Sequence, residues 1–234
     1  MARAKEQANE EQVLLRQVVL RLLERQEKWR NDAEGPGRRL HDEILARYQN
    51  PYQYDELERL LADNPQVFST RNRFMFMEPI EGDGLPIPIL TFEYDFAPQI
   101  PEVSFQMGVF AMNGAGKLSA VGYRFETPEG GGMHNYYHAQ PVETLLRNGR
   151  YKLPCPDLLS ASCPTFVLNA ANVLTLLLCL IVSVYGRQFL AGNLQTGGLG
   201  HQLKRYTDIL HWNGPGKGSQ FLEDAATGKW RWGP

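Results

Sequence analysis

The spacing of apolar residues changes along this chain. From about Ala4 to Asn31 they fall three and four apart, at Val13, Leu14, Leu15, Val18, Val19, Leu20, Leu22, Leu23 and Trp29, the period of an amphipathic helix. The apolar face is wide and needs cover from the body of the protein or from a partner. Glu34-Gly-Pro-Gly37 breaks the pattern. A second helix is predicted from about Arg38 to Gln49, with Leu40, Ile44, Leu45 and Tyr48 on one side, and a third from about Tyr54 to Ala62, ahead of Asn64-Pro65.

The pattern then changes to that of strands. Arg73–Met77, Ile87–Phe96, Val103–Met112, Lys117–Glu126 and His134–Gln140 are rich in aromatic and branched residues and read as strands. Glu81-Gly-Asp-Gly84, Pro98 to Pro101, Asn113-Gly-Ala-Gly116 and Glu129-Gly-Gly-Gly132 separate them. Successive strands with short turns predict an antiparallel meander. After the linker Leu153-Pro-Cys-Pro156, the hydroxyl and early proline of Ser162-Cys-Pro-Thr165 predict the start of an apolar helix that Gly186 ends.

Val167–Tyr185 approaches the length of a membrane span. Asn169, Asn172, Thr175 and Ser183 interrupt it, and its longest strictly apolar run is Leu176 to Val182. A buried core helix is therefore expected. The fold class follows: α+β, an antiparallel meander of about five strands packed on one buried apolar helix, with an N-terminal helical arm. The expected organisation is an arm over residues 1–37, a core domain over 38–191, and a Gly- and Trp-rich tail over 192–234 that packs on the core.

Composition narrows the function classes. The 234 residues carry 24 Lys+Arg against 26 Asp+Glu, with 43% hydrophobic and 21% charged residues. That is too apolar for a disordered chain and too neutral for a dedicated duplex-DNA binder. The balance is uneven, however. Residues 63–160 hold 7 basic and 11 acidic side chains, and residues 161–234 hold 6 and 3. Cys155, Cys163 and Cys179 form no CxxC pair and no disulfide framework. Free thiols and a polar Met1 to Gln12 lead to the expectation of a cytoplasmic protein with no secretory leader.

The densest local chemistry is Tyr123-Arg-Phe-Glu126 followed, across a glycine-rich turn, by His134-Asn-Tyr-Tyr-His-Ala-Gln140. Strand alternation puts His134, Tyr136, His138 and Gln140 on one face, and Arg124 with Glu126 on one face of the partner. Glu126, His134, His138, Tyr136 and Arg124 are thus candidates for acid–base chemistry, with the arginine holding a phosphate. His134, His138 and Glu126 are also candidate ligands for one divalent metal with an open position. The bland alternative is a polar strand face that meets solvent or a partner.

Other motifs carry less. Asn113-Gly-Ala-Gly-Lys-Leu-Ser119 lacks the first glycine of a P-loop, where Ala111 stands, and has Leu118 after the lysine, so it reads as a hairpin turn. Cys155 and Cys163 precede the apolar helix and are candidate nucleophilic thiols, whereas Cys179 reads as core. Lys204, Arg205, Lys217, Lys229 and Arg231, interleaved with Trp212, Trp230 and Trp232, suit either stacking on single-stranded nucleic acid or packing onto the body.

Leu90-Thr-Phe-Glu-Tyr-Asp-Phe-Ala-Pro-Gln-Ile-Pro-Glu-Val-Ser-Phe105 resembles the strand–proline–strand segment of ubiquitin-conjugating enzymes and their bacterial relatives. The order helix, meander, cysteine-bearing loop, helix is also similar over about residues 38–185, with Cys155-Pro-Asp-Leu-Leu159 in the place of the segment after that family's active cysteine. Of the family's His-Pro-Asn signature only Asn113 is present. The resemblance implies a thioester role for Cys155, with an adenylating enzyme and a ubiquitin-like protein as partners.

Two functional expectations result. The first is an intracellular interaction or accessory subunit of a multi-protein system, in the setting of bacterial ubiquitin-like conjugation or defence. Its partner is a protein or a second copy bound through the N-terminal helix, with nucleic acid as a further partner for the basic tail, and no membrane. The second is a hydrolase, ribonuclease-like or metal-assisted, built on the Glu126–His134–His138 cluster.

Overall fold

The computed structural model describes residues 2–32, 34–70, 72–80, 86–98, 101–113, 115–128, 136–145, 151–154, 166–168, 170, 172–186, 189, 199, 202, 203 and 206. Its helices are α1 (Ala2–Asp32), α2 (Gly35–Arg47), α3 (Tyr54–Asp63) and α4 (Val173–Tyr185). Its strands are β1 (Val67–Ser69), β2 (Met75–Phe76), β3 (Ile87–Asp95), β4 (Glu102–Met112), β5 (Leu118–Glu126), β6 (His138–Pro141), β7 (Thr144–Leu145), β8 (Tyr151–Lys152) and β9 (Phe166–Val167). The class is α+β, as the alternation of periods implies. Two compact units are present. One spans Val19–Val167 and holds the sheet. The other joins residues 1–18 to the described residues from Leu168 onward. The boundary between them falls inside α1.

The sheet runs in the order β1-β3-β4-β5-β6-β9, with β2 following β1 along the outer side of β3. All its pairings are antiparallel. The meander β3–β4–β5–β6 is the predicted one. The edge strands β1 and β9 are additions, each too short for a period of two to be read from sequence. The predicted strand at Arg73 shrinks to Met75–Phe76. Arg73 instead bonds Glu56 of α3 at 2.6 Å and the carbonyls of Asn50 and Pro51, and lies over the Tyr52 ring at 3.9 Å. Its guanidinium holds the Glu56 carboxyl below the usual carboxylate range.

Register sorts side chains onto two faces. Phe92, Phe105, Phe125, Ala139 and Phe166 are direct neighbours on one face. The opposite face is divided along the strands. At one end Ile87 and Ile89 of β3, Phe110 of β4 and Ala120 of β5 join Leu40, Ile44 and Tyr48 of α2 in a core with Phe74, Phe76, Leu145 and Leu153. Gly108 and Gly122 are partners in the β4–β5 ladder, within this zone. A Cβ on Gly122 would lie 2.7 Å from the Val142 carbonyl oxygen and collide with Leu153. Absence of side chains here lets the β7–β8 hairpin press onto the sheet. The Tyr48 hydroxyl donates to the Lys152 carbonyl at 2.9 Å and fixes α2 to that hairpin.

The helices differ from expectation in two places. α2 begins inside the predicted breaker, because Pro36 sits in its first turn, where a missing N–H costs nothing. α4 begins at Val173, not near Ser162. Asn172 accepts from the Thr175 N–H at 2.8 Å, and the Thr175 hydroxyl accepts from the Asn172 N–H at 3.0 Å. This reciprocal capping box is a stronger start signal than a lone proline, and Phe166–Val167 is taken up by the sheet. At 13 residues α4 is about 20 Å long. No helix among the described residues is long and apolar enough to cross a membrane.

The apolar stripe of α1, at Leu14, Leu15, Val18, Val19, Leu22 and Leu23, is buried within the chain itself. In the sheet-bearing unit Arg25 is paired with Glu78 at 2.7 Å, and Glu27 accepts from the Tyr54 N–H at the start of α3. The helix is therefore tied down, and a free apolar arm is not what the structure presents.

His41 of α2 is buried against the Phe76 ring at 4.2 Å, with Trp29 beyond it. Burial, chiefly, holds its pKa below 6.5; Asp42 opposes the shift, and Arg30 and Arg38 add to it. The unfolded chain therefore binds a proton at a higher pH than the folded one, so stability falls as pH drops through about 6.5. His41→Leu is expected to lose less stability than the wild type between about pH 7.5 and pH 5, read as urea midpoints at the two pH values. Gly122→Ala is expected to destabilise by about 1–3 kcal/mol, since the hairpin must lift off the sheet.

Candidate functional site

Towards the other end of the divided face the side chains turn polar. Ser69, Glu93, Ser104, Glu126 and His138 form one row of register partners across five strands. Thr91, Gln106, Arg124 and Gln140 form the row on the core side, and Val67, Asp95 and Glu102 the row outside. This end holds a groove of about 460 Å³ lined by Glu93, Asp95, Glu102, Glu126, Ser69 and Ser104 among others.

The expected cluster is partly assembled. Glu126 Oε2 lies 2.9 Å from Arg124 Nε and 3.4 Å from His138 Nε2. His138 Nδ1 lies 3.1 Å from the Tyr136 carbonyl oxygen, and the Tyr136 ring meets the imidazole edge-on at 5.8 Å. Gln140, with its amide oxygen turned to the guanidinium, accepts from Arg124 Nε at 3.0 Å. Both ring nitrogens of His138 thus face oxygens, and its side chain is 1% exposed, against 18% for Glu126. The carboxylate reaches the groove while the imidazole supports it from behind.

His134 and Cys155 lie outside the described residues, as do Cys163, the basic residues of the tail and its three tryptophans. Glu126 and His138 therefore bring two donors to the proposed metal position, and no group of three potential ligands occurs among the described residues. Cys179 is core: burial pushes its thiol up to about 12, so it is neutral and shielded. Asn113 opens the β4–β5 turn, its Oδ1 accepting from the Ala115 and Lys117 N–H groups.

Sequence reasoning missed Glu93, Asp95, Glu102 and Ser104. The signal was present in Thr91-Phe-Glu-Tyr-Asp95 and Glu102-Val-Ser-Phe-Gln106, where every second residue is polar between large apolar ones. No family model matches this chain, and neither the curated proteins nor the solved structures contain a match.

Two outcomes check this site. His138→Ala is expected to destabilise by about 1–3 kcal/mol in urea unfolding, because it removes a buried ring and strands its partners. A chain with Cys155→Ser and Cys163→Ser is expected to show no thiol towards DTNB until denaturant exposes Cys179.

Proposed function

We propose that this protein is a binding subunit of a multi-protein system, and that the polar end of its sheet is the recognition surface. The observation that carries this reading is the state of His138. A general acid or base must come within hydrogen-bond reach of the substrate, and this imidazole is buried and faces an oxygen from each nitrogen. Its geometry suits a strut for Glu126.

The character of the groove also weighs against a nuclease. Among the described residues, its lining holds four carboxylates and no basic side chain. Phosphate backbones are attracted by Lys and Arg, and Arg124, one row from the groove, is already paired with Glu126. The α1 stripe, which the sequence offered as the docking element, is buried, so recognition is moved to the sheet.

The purified chain is expected to release no product from fluorogenic single-stranded RNA or DNA, with or without Mg²⁺, Mn²⁺ or Zn²⁺. Turnover above the blank that His138→Gln or Glu126→Gln removes, at an unchanged thermal midpoint, would overturn the reading.

A further inference from the structure

Ser104 stands in the middle of the polar row, between Glu93 on β3 and Glu126 on β5. It is 8% exposed, lines the groove, and its hydroxyl meets no hydrogen-bond partner among the described residues. A buried hydroxyl without a partner is a standing cost to the folded state. Ser104 stands on the face of the sheet that carries a groove walled by four carboxylates, in the row of Glu93 and Glu126. One species relieves both features at once: a cation with N–H donors, which gives Ser104 Oγ a donor and the outer row of Asp95 and Glu102 a counter-charge.

We infer that the groove binds an extended, basic peptide segment, with a lysine or arginine head group seated over Ser104. The inference rests on the reading of the protein as a binding subunit and names its partner class. Three observations select this ligand. The lining is mixed: Val67 stands in the outer row beside Asp95 and Glu102, which matches a side chain with an apolar stem and a charged head. The carboxylates lie in two successive rows, Glu93 with Glu126 and Asp95 with Glu102. Rows two residues apart along a strand are about 7 Å apart, the distance between alternate side chains of an extended chain. Basic residues at every second position therefore fall in step with the groove. Finally, no set of three close ligands suits a bare metal ion among the described residues.

The chain as a whole is nearly neutral, with a formal charge of -2. General attraction to a polycation is therefore weak, and binding must come from the local field.

The test is fluorescence anisotropy of the full chain with a labelled, end-blocked hexapeptide carrying lysine at alternate positions and serine between. The wild type is expected to bind, with affinity falling as salt rises. Glu102→Lys should weaken binding by about tenfold or more, and Ser104→Ala by about three- to tenfold with no loss of thermal stability. Glu43→Lys makes the same charge change on the exposed side of α2 and should alter affinity by less than about twofold. Equal weakening by Glu43→Lys and Glu102→Lys, or no effect of Ser104→Ala, would overturn the placement. Failure of the peptide to bind, or tighter binding of spermine than of the peptide, would overturn the ligand class. Those results leave the binding-subunit reading intact, since that reading fails on a different outcome, hydrolysis that depends on His138.

Discussion

β4 lies between β3 and β5 from Ser104 to Phe110, and the register of those two ladders constrains everything else in the sheet-bearing unit. Strand side chains alternate with a period of two, so a slip of one residue would carry every group to the other face. In the observed register Phe92, Phe105 and Phe125 are cross-strand neighbours, and so are Glu93, Ser104 and Glu126 on the opposite side. A slip would bury carboxylates among phenyl rings. Desolvating an unpaired carboxylate is far more costly than losing one rung of backbone hydrogen bonds, so the aromatic face and the acidic groove specify the same alignment.

That alignment also divides the second face. The pairing of Gly108 with Gly122 creates a flat area where Leu145, Leu153 and the Val142 backbone approach the sheet. The hairpin and α2 cover this end with apolar groups. Further along, Gln106 and Arg124, then Ser104 and Glu126, follow in the same strands. The groove begins where the cover stops. Core and candidate site are thus successive segments of the same three strands, which ties the position of each carboxylate to the stability of the core beside it.

Within the site, Glu126 links the two zones. It is paired with Arg124 on its own strand and supported by His138 from β6. The Tyr136 carbonyl in turn orients the imidazole. Such a chain places a carboxylate at the groove wall with little freedom, the kind of support a recognition surface needs to keep its geometry. The same burial that makes His138 a good support removes it from contact with a substrate.

Much of this was legible in the sequence. The three helices before the sheet, the three long meander strands β3, β4 and β5, the existence of the short β6 and the hairpin turn at Asn113 follow from periods of 3.6 and 2 and from local turn chemistry, because those signals are carried by residues close together in the chain. The facing of Arg124 and Glu126 towards His138 was legible for the same reason. Tertiary structure decided the rest. The start of α4 was settled by a capping box at Asn172 and by the uptake of Phe166–Val167 into the sheet. The stripe of α1 proved to be covered by the chain itself. Above all, the groove is assembled from Ser69, Glu93, Glu102, Ser104 and Glu126, which lie up to 57 positions apart. Their meeting depends on long-range register and on where the covering elements end, and no local pattern encodes either.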